Sequence, residues 1–173
     1  MTESRAAVAQ YVREHPGSHF SAIVDALDQA TGQVQHHLSR LVRDAELERG
    51  SLYGQTHYYP PGYEQREKET LALLRRETTR ALVTALLAED ERRPGALAED
   101  LGVARSTLEY HLDRLVETGV VEKRRDDAGR VTLALERPQE TALLLAEVAP
   151  TRGDRFLDRF MRLVDSLLED AGR

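Results

Sequence analysis

Two helical segments carry the side chains best suited to contact another molecule, and both read His-Leu-x-Arg-Leu-Val. The first begins at His37 and the second at His111, 74 residues later. Polar and cationic residues fall opposite or beside the apolar side of the first segment: Gln33, Gln35, His36, Ser39, Arg40 and Arg43. Arginine can hold guanine or a phosphate, and glutamine can pair with adenine. No carboxylate interrupts this face, so it is compatible with a helix that contacts DNA, and an ordinary polar surface is the alternative interpretation.

The second segment has the same layout with a different charge. Its candidate contacts are Arg105, Ser106, Tyr110 and Arg114. However, Asp113 and Glu117 stand where the first segment has Ser39 and Arg43. Carboxylates at these positions would face phosphates, so we expect the first segment to be the better DNA-contacting helix.

A basic hairpin follows the second segment. Of the two hairpins, it is the better candidate for a DNA contact. Its candidate phosphate contacts are Lys123, Arg124, Arg125 and Arg130. Asp126 and Asp127 lie at its tip, so a solvated hairpin of mixed charge is the alternative interpretation.

The surrounding pattern predicts the elements that position these residues. Apolar residues recur at i, i+4, i+7 and i+8 from Val34 and again from Leu108, which indicates one buried stripe on each helix. Two shorter helical patterns precede each stripe. The apolar period then changes to two in LERGSLYGQTHYYP and VVEKRRDDAGRVTLAL, which are typical of β-hairpins.

Three helices followed by a two-stranded hairpin make a winged helix-turn-helix, and both copies resemble winged-helix regulators of the ArsR/MarR type. The resemblance rests on the HLxxL helix core, on AELE and GVVEKR before each hairpin, and on HYYP and VTLAL at its end. It implies a mainly α fold with small β-hairpin wings, in two tandem winged helix-turn-helix domains plus a C-terminal helix. It also implies a DNA-binding transcriptional regulator, closer to archaeal regulators, with a haloarchaeal host as one reading.

The same pattern predicts the domain boundaries. We expect a first winged-helix domain at 1–62, a helical linker at 63–77 that continues into the next helix, and a second winged-helix domain at 78–137. Residues 138–173 are predicted to form C-terminal helices that dimerise. The predicted dimer contacts are Phe156, Leu157, Phe160, Met161, Val164, Leu167 and Leu168. Packing of this segment on its own domain is the alternative.

His37 and His111 lie at the edge of the apolar stripes. We expect each to be partly buried and hydrogen-bonded near the turn between the second and third helices, with a phosphate contact as the second interpretation. With six histidines, no cysteine and no suitable histidine pair on one helix, the sequence predicts no metal and no cofactor.

Composition narrows the remaining choices. The formal net charge is −6, and the cations are 22 arginines and only 2 lysines. This suits a salt-adapted host or a high-GC genome, and both stay open. No apolar run approaches the ~18 residues of a membrane span, and no catalytic motif is present, so a cytoplasmic non-enzyme is expected.

The sequence thus predicts a transcriptional regulator that binds double-stranded DNA and acts as a homodimer. The alternative is a tandem winged-helix scaffold that binds protein, as in chromosome-condensation or transcription-apparatus subunits. A hybrid, with the first domain on DNA and the second on a protein partner, also fits the acidic face of the second copy.

Overall fold

The computed structural model describes residues 2–148, which form eight helices and five strands. The chain divides into two compact units between Arg75 and Arg76. Within the described residues, no helix is long and apolar enough to cross a lipid bilayer.

The first unit contains four helices and a three-stranded antiparallel sheet of order β1-β3-β2. In chain order its elements are α1 (Glu3–Glu14), β1 (Ser18–His19), α2 (Phe20–Ala26), α3 (Thr31–Arg43), β2 (Glu48–Leu52), β3 (Gln55–Tyr59) and α4 (Gln65–Leu74).

The core of this unit forms where α1, α2 and α3 meet. The predicted stripe of α3 is buried at Val34, Leu38 and Leu41, and packs against Val8 and Ile23 from the other two helices. Burial of these apolar side chains holds α3 in place and leaves its opposite face to solvent.

The first unit differs from the sequence-based expectation in its third strand and its last helix. β1 pairs with β3 through Ser18 and Tyr58, so the wing is part of a sheet and not a simple two-stranded ribbon. The expected linker at 63–77 is not one continuous helix, because α4 ends at Leu74. Helix α4 packs against β2, and the hydroxyl of Tyr59 donates to the backbone oxygen of Lys68 over 2.8 Å. Buried leucines explain why α4 belongs to the first unit: Leu71, Leu73 and Leu74.

The second unit repeats the same order of helices and then a hairpin. Its elements are α5 (Glu77–Ala88), α6 (Pro94–Leu101), α7 (Arg105–Glu117), β4 (Val121–Arg125), β5 (Val131–Leu135) and α8 (Pro138–Val148). A single bridge between Arg92 and Leu133 takes the place that β1 has in the first unit.

Helices α3 and α7 end at equivalent positions with different residues. After α7, Gly119 adopts a positive φ of 68°, as the sequence predicts for a residue just past a helix end. After α3, Ala45 occupies that position with a φ of 58°. A side chain in the left-handed region is unfavourable, so the first copy carries strain here that the second avoids.

The fold prediction is confirmed: the chain is mainly α with small hairpin wings, in two tandem winged helix-turn-helix arrangements followed by helix α8. The predicted dimer contacts lie outside the described residues: Phe156, Leu157, Phe160, Met161, Val164, Leu167 and Leu168.

Candidate nucleic-acid interface

Helix α3 presents a polar face to solvent that contains all of the contacts predicted for it. The exposed residues are Gln33, Gln35, His36, Ser39, Arg40 and Arg43. The hydroxyl of Ser39 donates to the backbone oxygen of Gln35 over 2.8 Å, while its oxygen remains able to accept. Within residues 2–148, neither Arg40 nor Arg43 forms an ion pair. Both guanidinium groups are therefore available to an anionic partner.

A shallow groove runs between α3 and the first wing. Ser39, Val42 and Arg43 line it from the helix, and Arg49 and Tyr58 line it from the strands. Burial raises the pKa of Tyr58, and the guanidinium of Arg49 beside it acts in the opposite direction. Arg49 also lacks an ion pair in the described part of the chain. The sequence pattern favours the second wing over this one as a DNA contact. The structure nevertheless places Arg49, the one arginine of the first wing, next to the exposed face of α3.

The tip of the first wing is a tight turn. Tyr53 and Gly54 both have positive φ, 47° and 77°, which is the geometry of a two-residue hairpin turn. Tyr53 is exposed, whereas His57 is buried and its Nδ1 lies 2.7 Å from the backbone oxygen of Gly17. Tyr53 is thus a surface group, and His57 is structural.

Helix α7 presents its predicted contacts differently. Arg105, Ser106 and Tyr110 are exposed, but Arg114 is only partly so. The guanidinium carbon of Arg114 lies 4.1 Å from the centre of the Tyr110 ring, a cation–π distance. Arg76 approaches the Tyr110 hydroxyl at 3.5 Å. These contacts occupy Arg114, whose counterpart Arg40 is exposed.

The cations of the second wing are engaged by carboxylates of their own unit. Lys123 Nζ lies 3.3 Å from Glu109 and 3.7 Å from Asp113, both on α7. Arg124 pairs with Glu91, at 3.0 Å, and with Glu122.

The remaining two wing arginines are bound within the hairpin turn. Arg130 Nε donates to Asp126 over 2.8 Å, and Arg125 donates to the backbone oxygen of Gly129 over 2.9 Å. Hydrogen bonds from Arg130, first from its backbone N–H, hold the pKa of Asp126 below its usual range. Hydrogen bonds that the guanidinium of Arg124 donates to Glu91 and Glu122 raise its pKa. The four candidate phosphate contacts of this wing therefore already have partners.

The repeated histidines do not share an environment. His111 is partly buried, and its Nδ1 lies 3.2 Å from the hydroxyl of Thr79 on α5. His37 is buried, and neither ring nitrogen has a hydrogen-bond partner among the described residues. His111 is therefore partly buried and hydrogen-bonded as predicted, but its partner lies on α5 and not at the turn between α6 and α7. For His37 the predicted hydrogen bond is wrong. Burial, and then the nearby cations, lower the pKa of each imidazole.

No group of three or more histidine and carboxylate side chains in residues 2–148 is arranged to hold a metal ion. The exposed polar face of α3 and its adjoining groove are thus the best-formed candidate site for a macromolecular partner in the described chain.

Comparisons with known protein families match both units. Residues 2–71 match a family model described as an N-terminal HTH domain. Residues 77–123 match the model of the arsR family of bacterial regulatory proteins. Among curated proteins, no match to the chain is found. The two matches support a DNA-binding transcription regulator as the general class, and regulatory helix-turn-helix families are typically non-enzymatic.

Proposed function

We propose that this chain, a protein of two tandem helix-turn-helix domains, regulates transcription by placing helix α3 of its first unit in the major groove of double-stranded DNA. The observation that carries the proposal is the exposed face of α3, which has several hydrogen-bonding groups and no carboxylate, and whose two arginines form no ion pair within residues 2–148. Its 13 residues make a helix about 20 Å long. The diameter of an α-helix with its side chains, about 10–12 Å, fits a major groove about 12 Å wide.

Each residue of that face has a role that follows from its chemistry. Arg40 and Arg43 hold guanine or a phosphate, and Gln33 and Gln35 pair with adenine. Arg49, on the wing side of the groove, neutralises a phosphate and so orients the helix.

The second unit contributes less to DNA affinity in this proposal. A phosphate that approached Lys123 would have to displace Glu109 and Asp113, and both carboxylates would then lie close to the phosphate. Exposed ion pairs are individually weak, so a phosphate can displace these carboxylates from Lys123. The lost ion pairs nevertheless offset most of the free energy gained from the new phosphate contact. We assign this unit a supporting contact through its wing.

A protein-binding role for the second unit is the alternative that this same observation favours. Its face alternates positive and negative groups, which suits a partner surface with complementary charges better than a uniformly negative duplex. In this hybrid the first unit binds DNA and the second binds a protein.

The proposal also includes a homodimer formed through the C-terminal segment. Two copies of α3 on two half-sites would multiply a contact that is weak alone. The host we propose is archaeal and salt-adapted, with the protein in the cytoplasm beside its DNA and without enzymatic activity. At about 1 M salt the Debye length is near 3 Å, so short-range hydrogen bonds would have to supply the specificity.

An electrophoretic mobility-shift assay on genomic fragments tests the proposal. The wild-type chain is expected to shift a subset of fragments, and Arg40→Ala/Arg43→Ala to shift none at the same concentration. Absence of a shift at every salt concentration would reject DNA binding and favour the protein scaffold. Equal shifts by the variant would move the contact away from α3.

Light scattering tests the dimer separately. Deletion of residues 154–173 is expected to halve the mass of the particle in solution. An unchanged mass would reject this segment as the dimer contact.

A further inference from the structure

A second feature of the first unit goes beyond the proposed function: a cavity where the start of α1 meets the flank of α3. Its lining residues are Thr2, Arg5, His36, His37 and Arg40. Two of these are arginines and two are imidazoles, and no carboxylate is among the described residues that line the cavity. A cavity of this composition attracts an anion.

Two side chains of the lining have nitrogens without partners. His37 is only 9% exposed, and both of its ring nitrogens lack a hydrogen bond within the described residues. The Nε of Arg5 is buried and lacks one as well. A buried N–H without an acceptor is unfavourable, so such groups call for an explanation, and a bound acceptor supplies one.

The remaining charges around the cavity leave it positive. The Nη2 of Arg5 contacts Asp44 at 2.5 Å and Glu46 at 2.8 Å, while its Nε has no partner among the described residues. Arg13 lies 3.9 Å from Glu46. Arg40 has no ion pair among the described residues. Both carboxylates are therefore occupied with Arg5, outside the lining, while Arg40 and the two imidazoles are not.

The second unit provides an internal comparison, because its helices repeat those of the first at a spacing of 74 residues. The counterparts of the five lining residues are Arg76, Thr79, Tyr110, His111 and Arg114. These counterparts satisfy one another. Thr79 lies 3.2 Å from His111, Arg114 stacks on Tyr110, and Arg76 reaches the Tyr110 hydroxyl.

One substitution explains much of the difference between the two copies. Where the second unit has Thr79, whose hydroxyl meets the histidine, the first has Arg5, which turns to Asp44 and Glu46. His37 thereby loses the partner that His111 keeps. Where the second unit has an aromatic ring to receive its arginine, the first has His36, and Arg40 stays exposed.

We propose that the cavity lined by Arg5, His36, His37 and Arg40 binds a phosphate group. A tetrahedral oxyanion offers acceptors in several directions, which matches donors that converge from two helices. Thr2 caps the N-terminus of α1, whose positive dipole end adds to the attraction. The phosphate belongs either to the DNA backbone or to a free phosphorylated molecule, and the chemistry of recognition is the same.

Histidine ring resonances measured by NMR test this on the full-length protein. Inorganic phosphate is titrated at constant ionic strength with chloride as the competing salt, and His37→Gln assigns the His37 signals. We expect saturable shifts at His37 and a rise in its pKa, because a bound anion offsets the effects of His36, Arg5 and Arg40. Arg40→Gln should weaken binding about tenfold, as expected for loss of a charge-assisted hydrogen bond.

Arg137→Gln is the matched control, since it removes the same formal charge from an exposed residue of the second unit, where Arg137 pairs with Glu140. It should bind phosphate like the wild-type protein. Arg5→Thr introduces the residue of the second copy and should also abolish phosphate binding, by giving His37 a hydroxyl partner.

A second titration with a DNA duplex identifies the source of the phosphate. Shifts at His37 with the duplex but not with inorganic phosphate assign the cavity to the DNA backbone, and shifts with phosphate alone assign it to a free ligand. No saturable shift at His37 with either probe, or equal losses of phosphate binding in Arg40→Gln and Arg137→Gln, would overturn the proposal. The phosphate titration needs no DNA, so its outcome is independent of the proposed function.

Discussion

Helices α3 and α7 have the same length and bury the same leucines, yet they present different outward faces. Each has 13 residues, and Leu38 and Leu41 of α3 are buried as fully as Leu112 and Leu115 of α7. On the outside, α3 has arginines that form no ion pair with any residue the structure describes, whereas α7 places acidic groups against the wing.

This difference shows that the duplicated letters specify packing and the differing letters specify surface. The number of cations on a surface is a poor guide to DNA binding when their partners are not considered. The second wing has more cations than the first, but they neutralise the carboxylates beside them. Attraction to a phosphate depends on the charge that remains after such pairing.

Truncation of the shared core should have the largest effect and should treat both units alike. Leu38→Ala and Leu112→Ala each remove a fully buried side chain. Each is expected to lower the free energy of unfolding by about 2–5 kcal/mol, through lost burial and the cavity left behind. Urea denaturation followed by circular dichroism measures this. A large cost in one unit and none in the other would contradict the equivalence of the two cores.

Exchange of the differing surface residues should transfer DNA affinity. Asp113→Ser/Glu117→Arg gives α7 the residues of α3 and removes one carboxylate from Lys123. We expect roughly threefold to tenfold tighter binding, and a salt dependence steeper by about 0.9 for each phosphate gained. Fluorescence anisotropy of a labelled duplex measures both.

The reciprocal variant, Ser39→Asp/Arg43→Glu, is the matched control for that exchange. It should weaken binding to the same duplex. If both variants left the affinity unchanged, the outward faces would not be the source of the difference between the units.

The two helix ends offer a smaller test of the comparison. Ala45→Gly relieves a positive φ and should stabilise the first unit by about 0.5–1 kcal/mol, and Gly119→Ala should destabilise the second by a similar amount. Thermal unfolding monitored by circular dichroism checks both. Destabilisation by Ala45→Gly would mean that the alanine is not strained.

The effect of pH should be the smallest. Burial, His36, Arg5 and Arg40 lower the pKa of His37 in the folded chain, so the unfolded chain binds a proton more readily. Stability is therefore expected to fall as the pH drops through the unfolded value of about 6.5, and to be retained above it. The loss is the difference in the free energy of unfolding between about pH 7.5 and about pH 5.5, measured by urea titration at room temperature. His37→Leu should reduce it. An unchanged pH dependence would show that His15 and His111, whose pKa values are also lowered, account for it.

Local sequence patterns predict the helices, the wings and the exposed face of α3, because these depend on spacing along one element. The stripe that begins at Val34 is an example, since its period alone indicates which side is buried. The turn at Gly119 is another. For these features the neighbouring residues carry enough information.

The remaining features depend on residues that are distant in sequence. β1 is two residues long and exists only because Ser18 and His19 pair with strand β3 of the wing. The partners of Lys123 become apparent only when β4 lies against α7. Likewise, His37 has no hydrogen-bond partner among the described residues, and Arg5 nearby pairs with Asp44. The periodicity of the sequence does not predict either fact.

The central claim is that Arg40 and Arg43 of α3, and not the paired cations on the second wing, account for DNA affinity. The most direct test compares Arg40→Ala/Arg43→Ala with Lys123→Ala/Arg124→Ala, two variants that lose the same formal charge. Their affinities for one labelled duplex are measured by fluorescence anisotropy at several salt concentrations. We predict a loss of at least about thirtyfold for the first variant and less than about threefold for the second. Equal losses, or a larger loss for the second variant, would contradict the account.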